Sequence, residues 1–195
     1  KKEQTTSHCN CLIGPETVRM LQLGHPWVIA DRYTGRWPKG SCGDLVSLVD
    51  DAGKLHGTAL LDPGARIVAR VLGPGRVVLD AKWLGSRLAA AEILRRWLEL
   101  GDTSAWRLVN GEGDGLPGLT VDRYGEYLLV QYYTKAWEPH LPVVGQSLLA
   151  ARSPRGIYAK FRPQQTRTAG EMVKSRLLAG SKAPETITVT ECGLR

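Results

Sequence analysis

The chain has 195 residues, a formal net charge of +7 and 43% hydrophobic residues. This length suits one domain or two small ones, and the apolar content is ordinary for a globular protein. No apolar run approaches the ~20 residues that cross a bilayer, and no signal peptide is visible, so we expect a cytoplasmic protein without a membrane partner. The cysteines lack the paired spacing of a zinc site and the histidines are scattered, so we predict neither a metal site nor a catalytic residue.

Short strands separated by glycine-containing turns are predicted from about residue 12 to residue 74. The clearest strands are predicted at residues 45–50, 54–61 and 66–72. Their spacing favours a small, mostly antiparallel β-barrel. Basic and aromatic residues are interleaved in this region, and such a composition can hold phosphates and stack bases. The candidate RNA-binding residues here are His25, Arg32, Arg36, Lys39 and Arg70.

A helix is predicted at residues 82–100, where apolar residues recur at helical spacing. Asp80 is its predicted N-cap and Gly101 its predicted stop. A strand at residues 106–109 follows, and a second helix is predicted at about residues 137–151. Strands and helices in this order predict an α+β arrangement for the middle of the chain.

A G-x-G-x-x-G pattern runs from Gly113 to Gly118 and at first suggests a dinucleotide or S-adenosylmethionine (SAM) loop. Such a loop must open a helix whose N-terminus faces the ligand. Here residues 119–124 and 127–133 instead form two strand-like segments around a glycine turn, which predicts a β-hairpin. We therefore predict a tight, proline-stiffened loop between strands and not a cofactor loop.

Two acidic residues, Glu112 and Asp114, lie in this loop and could serve as acid–base groups or metal ligands. Acids in a glycine-rich loop more often bond their own backbone, and we favour that interpretation. The residues of the motif that we keep as a candidate site are Glu112, Asp114, Gly115, Pro117, Gly118, Asp122 and Arg123.

The last part of the chain is basic. Between Arg152 and Lys182, eight basic residues stand against a single acid, Glu171. Such a stripe attracts polyanions, so nucleic acid is the first partner to test. Its candidate RNA-binding residues are Lys160 and Arg162. Further along, a polar tail leads to an isolated strand predicted at residues 186–190.

Three groups of residues, taken in order, resemble a known family. They are His25-Pro26-Trp27-Val28, then Gly43-Asp44-Leu45-Val46, and then Arg107-Leu108-Val109 with the glycine loop through Tyr124. In this order they resemble the PUA-domain-containing class I SAM-dependent methyltransferases that make 5-methylcytosine in large-subunit ribosomal RNA. The resemblance covers nearly the whole chain. One departure is the segment 159–162, where some relatives carry acidic residues.

The resemblance implies three modules: an RNA-binding PUA barrel, a small strand-strand-helix-strand-strand linking domain, and a Rossmann-like domain that holds SAM and the catalytic cysteine. We expect this chain to be the first two, with an α+β fold from which the Rossmann methyltransferase domain is absent. The expected divisions are a barrel at 1–75, a linking domain at 76–165 and a tail at 166–195. No cofactor is expected in this chain, because SAM is expected in the missing domain. Cys192 is not taken as the nucleophile.

The sequence therefore predicts the RNA-recognition and linker portion of a SAM-dependent rRNA (cytosine-C5) methyltransferase, with large-subunit rRNA as the partner. The alternative is a standalone PUA-type RNA-binding module without enzymatic activity. An enzyme that uses Glu112 and Asp114 is a second alternative. A homodimer and a monomer both stay open.

Overall fold

The structure, a computed structural model, describes residues 8–98, 100–162, 174–191 and 193–194. Within these residues, no helix has the length and apolar character needed to span a membrane. The chain divides into two compact units, Lys1–Val78 and Leu79–Arg195, which we call the N-terminal unit and the C-terminal unit. The expected division after residue 75 lies three residues before this boundary.

The N-terminal unit contains one mixed sheet of five strands and the helix α1. Its elements are β1 (Cys9–Leu12), α1 (Pro15–Gln22), β2 (Trp27–Ile29), β3 (Leu45–Val49), β4 (Leu55–Leu61) and β5 (Ile67–Gly73). The strand order is β1-β3-β4-β5-β2. Only β1 and β3 are parallel among these neighbours. The strands predicted at 45–50, 54–61 and 66–72 are confirmed as β3, β4 and β5.

Apolar side chains from these strands form the core of the N-terminal unit. Ile13, Val28 and Leu48 are at most 1% exposed, and Val18 and Leu21 of α1 pack against the same cluster. Burying a Val, Leu or Ile side chain stabilises a fold by about 1.5–3 kcal/mol. The alternation of apolar and polar residues in the strands therefore selects which face of the sheet turns inward.

The C-terminal unit contains a second mixed sheet of five strands. Its elements are α2 (Ala81–Arg96), β6 (Ala105–Asn110), β7 (Leu119–Tyr124), β8 (Tyr127–Tyr132), α3 (Leu141–Arg152), β9 (Gly156–Phe161) and β10 (Arg176–Gly180). The strand order is β10-β9-β8-β7-β6. Only β8 and β9 are parallel among these neighbours, and α3 joins them. This connection is a β–α–β crossover, because parallel neighbours cannot be joined by a tight turn.

The helix α2 begins and ends for different reasons. The Oδ1 atom of Asp80 accepts a hydrogen bond from the Trp83 backbone N–H at 2.8 Å, which confirms the predicted N-cap. The helix ends at Arg96 and not near Gly101. Trp97 and Leu98 are 84% and 54% exposed, so no buried contact holds a further helical turn.

The predicted hairpin is confirmed as the antiparallel pair β7–β8. The second helix begins later than predicted, at Leu141, after a short 3-10 helix at Lys135–His140 that contains Pro139. A proline inside a helix removes a backbone donor, so the regular α-helix starts only beyond it.

The tail differs from its prediction. Residues 186–190 alternate in sequence but form no strand, whereas Arg176–Gly180 pairs with β9 as an additional strand. The backbone N–H of Thr190 donates to the Ser104 Oγ at 2.8 Å, so the predicted segment is held by separate bonds and not by a ladder. Residues 76–165 contain four strands, as expected, but in the order α2-β6-β7-β8-α3-β9, so the expected strand-strand-helix-strand-strand order is wrong, and β10 from the expected tail adds a fifth strand to the sheet. The free edge of β9, which no local pattern reveals, decides where the strand forms.

Candidate nucleic-acid interface

The loop between β2 and β3 is anchored at both of its halves. The Oδ1 atom of Asp31 accepts hydrogen bonds from the backbone N–H groups of Tyr33 and Thr34, both at 2.9 Å. Further along, the Trp37 Nε1 donates to the Leu12 carbonyl oxygen at 2.7 Å. An Asp that bonds its own backbone fixes a turn, and the hydrogen bond of the Trp37 indole ties the loop to β1. The loop is therefore positioned by its own residues.

This anchored loop exposes three of the predicted RNA-binding residues: Arg32, Arg36 and Lys39. We call these three residues the cationic loop. The Arg32 guanidinium also lies 5.1 Å from the centroid of the Tyr33 ring. Cations beside an aromatic ring suit a ligand that carries both phosphates and flat bases. The structure thus brings three of the five candidates of this unit into one loop.

The other two candidates of the N-terminal unit lie elsewhere. Arg70 is only 4% exposed on β5, and its Nη1 lies 3.3 Å from an Asp62 carboxylate oxygen. His25 is half-buried, and its ring stands edge-on to the Trp27 ring at 5.5 Å. Burial and pairing with Asp62 remove Arg70 from the candidate interface, because a phosphate could reach it only at the cost of that pair.

A chain of hydrogen bonds crosses the sheet of the C-terminal unit. The Arg107 Nε donates to the Asp122 Oδ1 at 2.8 Å, and the Gln131 Nε2 donates to the Asp122 Oδ2 at 2.8 Å. At the end of β9, the Arg162 Nη1 donates to the Gln131 Oε1 at 3.2 Å. The hydrogen bond to Asp122 raises the pKa of Arg107. Lys160 lies on β9 in register with Gln131 and is half-buried.

Within this network, Asp122 and Arg162 differ in exposure and therefore in role. Asp122 is 7% exposed and accepts from two strands, so it holds the sheet together. Arg162 is exposed and uses one of its donors on Gln131. Arg167, one of the eight basic residues of the stripe, and its single acid Glu171 lie outside the described residues.

The two acids of the glycine motif are used inside the fold. Asp114 is 3% exposed in its side chain, and its two carboxylate oxygens each accept from the Arg95 guanidinium at 2.7 Å. Its Oδ2 also accepts from the Asn110 backbone N–H. The Glu112 Oε1 accepts from the Gly118 backbone N–H at 3.2 Å. A bidentate, buried pair of this kind fixes geometry. Both acids act as turn-formers here, as the favoured interpretation predicts.

The remaining motif residues also serve the turn. Gly115 has a φ of 69°, a left-handed backbone that favours glycine, and a Cβ there would meet the Arg87 Nη1 at 3.2 Å. The Pro117 carbonyl oxygen accepts from the Nε1 of the fully buried Trp137 at 2.8 Å. Directly after Gly118, the chain enters β7.

A SAM or dinucleotide loop does not fit this geometry. No helix N-terminus follows Gly118, and the Gly118 N–H is already bonded to Glu112. The N–H groups of Gly115 and Leu116 also bond within the loop, to the carbonyl oxygens of Glu112 and Gly111, so these donors are not available to cradle a phosphate. We assign no cofactor contact to these residues.

Arg123, the last residue kept from the motif, packs on an aromatic ring. Its guanidinium lies 4.6 Å from the centroid of the Trp106 ring, and its Nε donates to the Gly125 carbonyl oxygen at 2.7 Å. Trp106, Arg95 and Gln131 were not among the predicted site residues. Each acquires its role from a partner on another element, so nothing in its local sequence pattern marks it.

No group of three or more His, Cys, Asp or Glu side chains that could hold a metal ion occurs in the part of the chain that the structure describes. Burial, followed by the nearby charge of Cys9, raises the pKa of the Cys11 thiol to about 12. A thiol must lose its proton to bind a metal, so Cys11 is a packing residue in this state.

Comparison with known proteins first gives the class of the N-terminal unit. Residues 13–74 match the family of PUA-like domains. This segment includes α1, all strands from β2 to β5, and the cationic loop. The protein is thus one that carries a PUA-like domain followed by a mixed α/β unit.

The full chain is similar to ribosomal RNA large subunit methyltransferases. It is 34% identical over 184 residues to the one from Deinococcus radiodurans and 30% identical over 180 residues to methyltransferase I from Cronobacter sakazakii. These alignments cover 90% and 91% of this chain but only 45% of each relative. The chain is therefore homologous to this group of enzymes and spans about 45% of their length.

Two solved structures share the fold. One is a Streptococcus mutans protein assigned as a SAM-dependent methyltransferase, with a TM-score of 0.79 and 24% identity over 95% of this chain and 46% of that chain. The other has the same scores and is a methyltransferase complex with SAH. At this identity, the likeness shows the fold alone.

These structures contradict two expectations from the sequence. The expectation that a Rossmann methyltransferase fold is absent from this chain is wrong, because methyltransferase structures match 95% of it. The β8–α3–β9 crossover is the kind of unit from which such sheets are built, and its parallel pairing could not be seen in the sequence pattern. The expectation of no cofactor in this chain is contradicted by the same match, since one of those structures is complexed with SAH.

Proposed function

We propose that the protein is a SAM-dependent methyltransferase of large-subunit ribosomal RNA, and that this chain recognises the RNA through its cationic loop. The observation that carries the proposal is the exposure of Arg32, Arg36 and Lys39 on an anchored loop of a PUA-like domain. The homology to rRNA methyltransferases supplies the class of nucleic acid. Carbon 5 of cytosine is the proposed target, on the resemblance of the sequence motifs.

Electrostatics explains why the loop suits RNA. Phosphates account for most of the affinity of nucleic-acid complexes, and each neutralised phosphate releases condensed counterions. The backbone of the anchored loop loses little conformational entropy on binding, because Asp31 and Trp37 already hold it. Tyr33 adds an aromatic ring beside the charges, and unpaired RNA bases stack on such rings.

The C-terminal unit adds weaker candidates. Exposed Arg162 and half-buried Lys160 are proposed as RNA contacts, and His25 as one in the N-terminal unit. Because Arg162 already donates to Gln131, its contribution is expected to be smaller than that of the cationic loop. A homodimer and a cytoplasmic location remain predictions from the sequence.

SAM is the proposed methyl donor, and when bound it supplies the methyl group that is transferred to the base. The support is the likeness to methyltransferase structures, one of them a complex with SAH. The Gly113–Gly118 loop is not its site, for the geometric reasons given above. Titration calorimetry of the protein with SAH tests this part directly, and an absence of heat would remove the cofactor from this stretch of the protein.

RNA recognition is tested by the salt dependence of binding. A structured fragment of large-subunit rRNA is titrated with the wild-type protein and with an Arg36→Ala, Lys39→Ala double variant between about 50 and 200 mM salt. If both side chains contact phosphates, the magnitude of the slope of log K against log salt falls by about 0.7–0.9 for each lost contact.

The matched control is a Lys54→Ala, Arg76→Ala double variant, which removes two exposed charges of the same unit outside the cationic loop. Its slope is expected to remain that of the wild type. An equal reduction of the salt slope in both variants would mean that the overall charge acts diffusely and that the loop is not the interface. Absence of measurable affinity in the wild type would contradict RNA recognition by this chain.

A further inference from the structure

A cavity of about 230 Å³ lies in the C-terminal unit, at the end of the sheet where β7 turns into β8. It is lined by Trp106 of β6, Arg123 of β7 and Leu128 of β8, which we call its floor, and by the residues 152–155 at the end of α3, which we call its wall. The cavity is distinct from the Gly113–Gly118 loop, which lies at the other end of β7. Neither the sequence motifs nor the matched domain gives it a role.

The floor of the cavity offers flat, polarisable surfaces. Trp106 is half-buried, and the Arg123 guanidinium lies 4.6 Å from its ring centroid. The Arg123 Nε is fixed by its bond to the Gly125 carbonyl oxygen at 2.7 Å, so the guanidinium is held in place before any ligand arrives. Indole rings and guanidinium planes are the surfaces on which unpaired bases stack.

The wall of the cavity is positively charged. Arg152 donates to Glu92 at 2.9 Å, whereas Arg155 lies 3.6 Å from Glu126. The side chains of that second pair are 63% and 71% exposed, so the pair is weak and Arg155 can exchange its partner for a phosphate. Three arginines and one rim carboxylate therefore line the cavity, which leaves a net positive charge.

The backbone beside the cavity has an unusual conformation. Ser153 has a φ of 45° and is, among the described residues, the one non-glycine residue with a left-handed backbone. This conformation costs about 1–2 kcal/mol for a residue with a Cβ. It ends α3 and directs the chain so that Pro154 and Arg155 line the cavity, while the serine adds a hydroxyl that glycine would lack.

The volume of the cavity limits the class of ligand that it can hold. Sites for whole small-molecule ligands and cofactors usually have about 300–1,000 Å³, and this cavity is smaller. A flat, partly apolar floor with a cationic rim matches one nucleotide, with its base below and its phosphate above. We propose that this cavity binds a single unpaired nucleotide of the RNA, its base on Trp106 and Arg123 and its phosphate at Arg152 and Arg155. This inference rests on the proposed RNA-directed function.

The test compares two kinds of RNA on the same protein. Fluorescein-labelled single-stranded ten-nucleotide RNAs and the structured rRNA fragment are titrated by anisotropy with the wild type and with Arg123→Ala, Arg123→Lys and Arg96→Ala variants. Arg96 is an exposed arginine on α2 outside the cavity and serves as the charge-matched control. Loss of one stacked base is expected to weaken single-strand binding by about tenfold or more in Arg123→Ala. Arg123→Lys keeps the charge but loses the planar guanidinium, so its single-strand affinity should stay nearly as low as that of Arg123→Ala.

A second measurement uses only the wild-type protein, so its result does not depend on whether a variant folds. The wild type is cross-linked by light to single-stranded RNA containing 4-thiouridine, and the attached peptides are identified by mass spectrometry. Attachment at Trp106 or within residues 152–155 supports the inference. Attachment only elsewhere, or equal weakening in Arg123→Ala and Arg96→Ala, overturns it. If the wild type binds neither RNA, the proposed function fails together with the inference. If the wild type binds the structured fragment and Arg123→Ala binds single-stranded RNA as well as the wild type does, only the inference is overturned.

Discussion

The arginines of the cationic loop in the N-terminal unit differ from those that pair with buried carboxylates in the C-terminal unit. In the N-terminal unit, Arg32 and Arg36 lie exposed on an anchored loop. In the C-terminal unit, Arg95 forms a bidentate pair with the buried Asp114, and Arg107 forms one with Asp122. A cation whose charge is exposed remains available to a polyanion, whereas one paired inside the fold contributes to geometry.

The difference shows that a basic composition does not identify an interface. The net charge of +7 is shared by both kinds of arginine. Only the pairing of each side chain separates those that can bind RNA from those that hold the fold. The cavity beside Trp106 lies between these extremes, because its arginines have partners that are partly exposed.

The largest expected effect comes from removing the carboxylate partner of a buried arginine in the C-terminal unit. Asp114→Ala should destabilise the C-terminal unit by about 3–5 kcal/mol, because it leaves the Arg95 charge partly buried without its partner. Chemical denaturation followed by far-UV circular dichroism measures the change.

The control for this prediction is Glu126→Ala, which removes one partner of an exposed pair. Its stability should stay close to that of the wild type. Equal stability of Asp114→Ala and the wild type would refute the structural role of the motif acid. Loss of RNA binding by Asp114→Ala at unchanged stability would instead favour a functional role for the loop.

A smaller effect is expected from a hydrogen-bonded pair of the N-terminal unit, Asp50 with His56 at 2.8 Å. The hydrogen bond with His56, followed by that from the Lys54 backbone, lowers the pKa of Asp50. A lowered pKa in the folded state stabilises the fold above the ordinary aspartate range, about pH 4, and this stabilisation is lost as the pH falls through the folded-state value.

Asp50→Asn removes this titration and should flatten the loss of stability below about pH 4. Hydrogen exchange in peptides from β3 and β4 measures the stability of the N-terminal unit separately from that of the C-terminal unit. The neighbouring Asp51→Asn, at an exposed position, is the control and should retain the wild-type dependence. A wild-type slope in the Asp50→Asn protein would show that the pair does not control acid stability.

The smallest effect concerns two thiols on the edge strand β1. Cys9 is exposed, while Cys11 is 1% exposed and has its pKa raised to about 12, chiefly by burial. Because the thiolate is the reactive form, iodoacetamide at neutral pH should label Cys9 well before Cys11, with no effect on RNA binding. Peptide mass spectrometry gives the order, and faster labelling of Cys11 would show that β1 is not packed as described.

Local patterns were sufficient for many elements of the fold. The strands β3 to β5, the β7–β8 hairpin and the Asp80 cap follow from alternation, turn residues and capping chemistry, all of which act over a few residues. The strand β10 and the parallel pairing of β9 with β8 could not be predicted in this way. They depend on which sheet edge is free, and that is decided by contacts between residues far apart in the sequence.

The candidate site divides in the same manner. The basic and aromatic residues near the start of the chain mark the cationic loop, but the burial of Arg70 behind Asp62 is visible only in the folded unit. The glycine motif marks a turn, yet its partner Arg95 lies 19 residues earlier on a helix. Trp106 and Arg123 form one stacked pair only because β7 brings Arg123 over the Trp106 ring.

The sequence by itself therefore determined the local elements, the turn in place of a cofactor loop, and the resemblance to RNA methyltransferases. The tertiary structure alone decided which charges remain exposed, which are paired, and where the cavity beside Trp106 lies. The physical reason is range. Propensity, capping and turn chemistry act between neighbours along the chain, whereas burial and ion pairing depend on residues that only folding brings together.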